Sequence, residues 1–138
     1  MRLAEAQKKV ISDIKEILDN AGLVNARTAK KNDGKIRYYF NRGETITEDG
    51  TETLVIYGIA SMTGTGRADS ESFGYVTNIA IDIFTHQDGQ SKKILDLIET
   101  IENEAMKKGY YMDMDSQETF DGTRVVQRLS YTLSKTVY

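Results

Sequence analysis

The chain has 138 residues, of which 39% are hydrophobic and 28% charged, and its formal net charge is −3. A chain of this length is expected to form one domain, spanning residues 1–138, with its own core. Its charge excludes the general attraction to nucleic acid or anionic membranes that strongly basic proteins show. The absence of cysteine excludes disulfides and thiolate metal sites, and fits a reducing cytosol. No apolar run has the length of a membrane span, and the N-terminal residues lack the apolar core of a secretory signal.

The first predicted element is an amphipathic helix over residues 3–21. Gly22 follows its last apolar residue and suits the left-handed conformation that often ends a helix. The pattern predicts a helix packed on a sheet, and a coiled-coil partner helix is the alternative. The apolar residues recur at intervals of three, four and seven: Leu3, Val10, Ile14, Ile17, Leu18 and Ala21.

A polar, basic connection over Asn25–Gly34 leads to the first predicted strand, Lys35–Arg42. That segment contains two tyrosines and a phenylalanine, which favour β structure. Residues Gly43–Gly50 then predict the end of a hairpin, because Asp49 and Gly50 form a common turn pair.

Two longer strands are predicted next, over Glu52–Met62 and Tyr75–Thr85. The first is apolar on both faces, which is typical of an interior strand, and Gly58 within it suggests a bulge. The polar segment Thr63–Ser72 between them is rich in glycine and serine. We therefore expect the two strands to form one long hairpin with this loop at its tip.

The second half of the chain predicts a helix over Ser91–Lys108, closed by Gly109, and two strands over Tyr110–Gln117 and Arg124–Tyr138. A turn at Asp121–Gly122 joins these strands. The last strand alternates apolar and polar residues, so one of its faces is buried and the other is in solvent. The predicted buried stripe of the helix consists of Ile94, Leu95, Ile98, Ile101, Ala105 and Met106.

Together these elements predict an α+β fold, with a mainly antiparallel sheet and two principal helices packed on one face. Helices that alternate with strand pairs in this way must cover a sheet to bury their apolar stripes.

Few residues in the sequence favour catalysis. His86, with Asp82 and Asp88 nearby, is the candidate for a general base or a metal ligand, but one histidine with scattered carboxylates is not a zinc-binding pattern. Asp113 and Asp115 point the same way on a strand. They are candidates for acid–base work or Mg²⁺ binding, and the competing interpretation is a charged edge strand that resists unwanted pairing. No cofactor or metal site is predicted.

Two further patterns carry weak signals. The loop Gly64–Arg67 resembles a phosphate-binding loop but lacks the Lys-Ser/Thr ending and the helix that should follow. The aromatic and basic residues 37–42 suit stacking on single-stranded nucleic acid, but the acidic residues that follow oppose that interpretation. A tyrosine-rich strand is more often part of a core or a protein interface.

Two segments carry a resemblance to a known family. They are VTNIAIDIFTHQDGQSKKILDLIETIENEAMKKGY (76–110) and ETFDGTRVVQRLSYTLSKT (118–136). The first is a strand, a short polar link and a long helix, and the second is a closing hairpin. In this order of elements the chain resembles the tail-terminator, or tail-completion, proteins of long-tailed bacteriophages and prophages. The resemblance covers the second half well and the first half only in element order.

The resemblance implies a non-enzymatic virion protein that caps the tail tube and helps to join the tail to the head. The working form in that family is a hexameric ring, so the implied partners are other copies of the chain, the tail tube protein and the head-completion or connector protein. The implied location is the head–tail interface of the virion, and the host cytoplasm during assembly. DNA can pass through such a ring, but neither a membrane nor sequence-specific nucleic acid recognition is implied.

A ring needs a heterologous interface, in which one surface of a subunit meets a different surface of the next. The candidate elements are the polar loop and the charged face of the last strand. The candidate interface residues are Gly64, Thr65, Gly66, Arg67, Ala68, Asp69, Arg124 and Arg128.

Two other functions remain open from the sequence. One is a head-completion or connector protein that binds on the portal side. The other is a small hydrolase or ligand-binding domain that uses His86, Asp82 and Asp113, and in that case His86→Ala would abolish activity.

Overall fold

The structure is a computed structural model that describes residues 1–29, 34–41, 53–68, 71–86, 89–119 and 127–138. These residues form two helices, a six-stranded sheet and a small two-stranded ribbon, so the predicted α+β fold is confirmed. The elements in chain order are α1 (Leu3–Asn20), β1 (Val24–Asn25), β2 (Arg37–Phe40), β3 (Leu54–Gly64), β4 (Arg67–Ala68), β5 (Glu71–Ser72), β6 (Tyr75–Thr85), α2 (Lys92–Lys107), β7 (Tyr111–Thr119) and β8 (Gln127–Val137).

The sheet has the strand order β1-β2-β3-β6-β8-β7. The pairs β3–β6, β6–β8 and β8–β7 are antiparallel, which confirms the predicted character of the sheet. The pairs β1–β2 and β2–β3 are parallel, with Arg37 opposite Leu54 and Phe40 opposite Tyr57. The predicted hairpin between the strands of residues 35–42 and 52–62 is therefore wrong, because parallel strands need a crossover connection rather than a tight turn. The turn proposed at Asp49–Gly50 lies outside the described residues.

The predicted hairpin of β3 and β6 is confirmed, with pairing from Leu54 opposite Phe84 to Gly64 opposite Tyr75. The bulge lies between Ile59 and Ser61 and not at Gly58, which pairs regularly with Ala80. Gly58 is needed for another reason. A β-carbon there would overlap the side-chain oxygen of Asn41.

Both helices pack on one face of the sheet, as predicted. Their apolar stripes join one core with the inward side chains of the central strands, which include Val55, Ile79, Ile81, Ile83 and Leu133. The opposite face has a second, small cluster in which Leu54 and Phe84 are buried and Tyr39 and Ile56 pack against them.

The helix boundaries agree closely with the prediction, but part of each stripe does not. α2 begins after Ser91, whose hydroxyl accepts a hydrogen bond from the Ile94 N–H at 3.4 Å. Leu95 is 46% exposed and Leu97 is buried instead, because the two positions lie about 200° apart around the helix and only one of them can face the sheet. Leu3 and Met106, also predicted to be buried, are exposed.

Polar contacts tie α1 to both ends of the sheet layer. The Tyr38 hydroxyl donates to Asp19 Oδ1 at 2.7 Å, and the Tyr110 hydroxyl donates to Asp13 Oδ2 at 3.0 Å. Burial raises the pKa of both tyrosines well above the usual value, and the adjacent carboxylates add to the shift. α1 is therefore held by directional contacts as well as by its apolar stripe.

Candidate functional site

Strand β7 forms one edge of the sheet. It pairs with β8 from Tyr111 to Thr119, yet every side chain on it except Met112 is exposed. It carries Asp113, Asp115 and Glu118 and no basic residue. The predicted carboxylate pair therefore lies on an edge strand. This is the location expected if the two carboxylates face solvent and discourage unwanted pairing.

The pairing of β7 is interrupted by an irregularity between Met114 and Ser116, at Asp115. The Thr132 hydroxyl donates to Asp115 Oδ2, and Asp113 lies opposite Thr132. Within the described part of the chain, no three His, Cys, Asp or Glu side chains lie close enough together to hold a metal ion. The contact that the structure shows for this pair is thus that of Asp115 with the hydroxyl of Thr132.

Two large apolar side chains add to the exposed surface of β7. Tyr111 is 72% exposed and Met114 is 52% exposed. An edge strand with both acidic and apolar exposed residues has the mixed composition of a binding surface, since apolar side chains gain free energy when a partner covers them.

The opposite edge of the sheet, at β1 and β2, has a depression of about 560 Å³ beside α1. Lys15 of α1 and Arg27 supply positive charge, and no acidic residue lines the depression among the described residues. Both cationic side chains are exposed. The depression is therefore suited to a group that carries negative charge.

Aromatic rings form the floor of this depression. The Tyr57 ring lies 5.9 Å from that of Tyr38 and 5.2 Å from that of Phe40, measured between centroids. Tyr57 is buried, whereas Phe40 is 45% exposed. Burial raises the pKa of Tyr57, Asp19 raises it further, and the positive charge of Arg27 acts in the opposite direction. The floor of the depression thus lies close to the Asp19 carboxylate as well as to Arg27.

The predicted interface loop is a hydrogen-bonded ribbon rather than an irregular loop. The Thr65 N–H donates to the Gly74 carbonyl at 3.0 Å, and the Phe73 N–H donates to the Gly66 carbonyl at 2.8 Å. Beyond them, β4 pairs with β5. A β-carbon at Gly66 would lie 2.9 Å from the Phe73 ring, which is 63% exposed. The tip therefore presents an exposed aromatic ring close to its backbone.

The predicted interface residues do not form one patch. Gly64–Ala68 lie at the tip, beyond the Tyr75–Val137 end of the β6–β8 pair. Arg128 lies at the other end of that pair, opposite Phe84. Asp69 and Arg124, like Ser70 of the same loop, are outside the described residues.

Arg128 makes contacts within its own chain. Its guanidinium lies 3.4 Å from Asp82 Oδ2, 3.8 Å from Glu118 Oε2 and 5.7 Å from the centre of the Phe84 ring. Its Nε is buried with no hydrogen-bond partner in the described structure. Arg128 thus links β6, β7 and β8 on the face opposite the helices.

The candidate residues for a small hydrolase are not assembled into a site. His86 is exposed just beyond the end of β6, four residues from Asp82, which contacts Arg128. Asp113 lies on β7, separated from β6 by β8. Asp88 is outside the described residues. The acidic and cationic edges of the sheet are instead the most developed surfaces. Sequence reasoning identified the acidic residues of β7 and the basic and aromatic residues of the other edge, but it missed that Lys15 of α1 lies beside the latter.

Neither described helix combines the length and the apolar character that crossing a membrane requires. No protein-family model and no curated protein matches the chain.

Proposed function

We propose that this chain is a non-enzymatic structural subunit of a phage tail: a tail terminator that forms a ring, caps the tail tube and joins the tail to the head. The observation that carries the proposal is the nine-residue edge strand β7, which is exposed along almost its whole length. A long exposed edge is a liability for a protein that acts alone, and it is useful in a protein that works within an assembly.

The order of elements supports the same proposal. The chain has a helix before the sheet and a second helix before the last two strands, which is the order that the resemblance implies. The two edges of the sheet also differ in their exposed side chains: one edge is acidic, and the other is basic and aromatic. A ring of identical subunits requires two such unlike surfaces.

The partners that follow from this role are other copies of the chain, the tail tube protein and the head-completion or connector protein. The ribbon tip, with Phe73 exposed beside Gly66, is available for one of these contacts. Arg67→Glu tests the tip, because reversing a charge at an interface weakens association whereas the same change at a free surface has little effect. Arg128 is less suitable for this test, since its charge is engaged with Asp82.

The deciding experiment is electron microscopy of particles from the parent phage or prophage with a stop codon early in this gene. We expect filled heads separate from tails, and tails of uncontrolled length. Tails of normal length beside unjoined heads would point to a head-completion protein on the portal side. Normal joined particles would refute the structural role, and His86→Ala would then test a catalytic one.

A further inference from the structure

In the part of the chain that the structure describes, the strands at the two edges of the sheet carry opposite charge. β7 has three acidic residues and no basic residue over Tyr111–Thr119. The described residues at the other edge, 24–29 and 34–41, contain the exposed Arg27 and no acidic residue. Lys15 of α1 adds a further positive charge at the depression beside that edge.

The two edges also match in their apolar side chains. Tyr111 and Met114 are exposed on β7, and Phe40 is exposed at the depression on the opposite edge. Burying such side chains against one another favours association in proportion to the apolar area removed from water. Charge and apolar surface therefore favour the same pairing of unlike edges.

Pairing of like edges is disfavoured on the same grounds. Two β7 strands side by side would bring six carboxylates together, and like charges at an interface weaken association. A two-fold dimer through β7 therefore conflicts with its charge.

We propose that β7 of one copy docks against the β1–β2 edge of the next copy, with its acidic residues toward Lys15 and Arg27 and its apolar residues toward Phe40. This inference rests on the ring form of the proposed function and specifies the interface between its subunits. Because the two surfaces differ, each copy keeps one edge free for a further copy. Such a contact closes into a ring when the rotation between copies divides a full turn.

The contact can be mapped on the unmodified protein with a carbodiimide, which joins a carboxylate directly to a lysine amine. A mixture of ¹⁴N- and ¹⁵N-labelled protein at high concentration and low salt separates links between copies from links within one copy. We expect mixed-isotope peptides that join β7 to Lys15 or Lys35, and a lower yield at high salt, because exposed charges are screened beyond about 10 Å at 0.1 M salt. Links between copies that join other surfaces, or no such links at all, would overturn the proposal.

Charge exchange gives a second test. Asp113→Lys with Gln117→Lys, or Lys15→Glu with Arg27→Glu, should each weaken association between copies by about tenfold or more. Association is measured by sedimentation velocity without the carbodiimide, because these substitutions remove groups that the reagent joins. All four substitutions together should restore it. Lys8→Glu with Lys9→Glu is the matched control for Lys15→Glu with Arg27→Glu, since it changes the net charge equally at exposed positions of α1 and should have no effect. Failure of the fourfold variant to recover, with circular dichroism showing it folded, would contradict the proposal.

The two proposals fail separately. A stop codon that leaves particles normal refutes the tail role whatever the cross-links show. Defective particles from the stop codon, together with cross-links elsewhere on the surface, keep the tail role and refute this interface.

Discussion

Strands β6 and β7 both form backbone hydrogen bonds with β8, but they differ in how far their side chains are buried. β6 pairs from Tyr75 to Thr85 and β7 from Tyr111 to Thr119, so both have a long ladder of backbone hydrogen bonds. β6 buries Ile79, Ile81 and Ile83 under the helices, whereas β7 contributes only the half-buried Met112 to the core. A hydrogen bond adds only about 1 kcal/mol net, and burial of a large apolar side chain adds about 1.5–3 kcal/mol. We infer that β6 stabilises the fold and that β7 is free to serve as a surface.

The largest test of this contrast is Ile81→Ala in β6. Ile81 is 0% exposed, so the substitution leaves a cavity and should lower the free energy of unfolding by about 2–5 kcal/mol, measured by urea denaturation. Met114→Ala in β7 is the control and should change it by less than about 0.5 kcal/mol. Equal losses at the two positions would show that β7 is part of the core after all.

Gly58→Ala should have the next largest effect. The added methyl group would overlap the Asn41 side chain, and overpacking of this kind costs about 1–3 kcal/mol. Asn41 has a φ of 50°, so Asn41→Gly is tolerated there and removes the overlap. The double variant should therefore recover most of the lost stability in thermal denaturation. An unchanged loss in the double variant would mean that Gly58 is required for another reason.

Tyr110→Phe tests the hydrogen bond that joins α1 to a residue following the C-terminal end of α2. Losing the hydrogen bond to Asp13 should lower the stability at neutral pH by about 1 kcal/mol. Burial first, and then Asp13, raise the pKa of Tyr110 above the usual 10.0. A raised pKa in the folded state means that stability is fully present below pH 10 and decreases as the pH rises above it.

Unfolding measurements from neutral to alkaline pH should accordingly show a shallower decline for Tyr110→Phe than for the parent. Asp13→Asn is the companion variant, because it keeps a hydrogen-bond acceptor and removes the charge. Parallel declines in the parent and Tyr110→Phe would show that Tyr110 does not contribute to the alkaline loss.

The smallest effect is expected for Asp113→Ala on the exposed edge. Asp113 lies on an exposed strand, and its removal should change the free energy of unfolding by less than about 0.5 kcal/mol. The same substitution should weaken association between copies, measured by sedimentation velocity. A variant that is destabilised but still associates fully would reverse the roles that we assign to β6 and β7.

Local patterns in the sequence were sufficient to predict where the helices and the long strands lie. The alternation of Ile79, Ile81 and Ile83 predicted β6 with its observed bounds, and the spacing of Val10, Ile14 and Ile17 predicted the buried side of α1. These features depend on neighbours in the chain, and the period of the apolar residues reports them directly.

Features that depend on distant residues were not predicted. The parallel alignment of β2 with β3 is set by contacts across the sheet, and the preference for Leu97 over Leu95 is set by how α2 lies on it. The depression at Lys15 and Arg27 combines α1 with the β1–β2 edge, so no single segment of sequence contains it. Gly58 was identified as special, but its neighbour Asn41 is visible only in three dimensions.

The bond between Tyr110 and Asp13 also has a consequence for folding. The two residues are 97 positions apart, and both helices belong to the same core. During synthesis α1 leaves the ribosome first, but its packing surface is incomplete until the chain extends past α2. Contacts between such distant positions slow folding, because the long loop between them must be closed first. The apolar stripe of α1 therefore stays partly exposed until α2 has been synthesised.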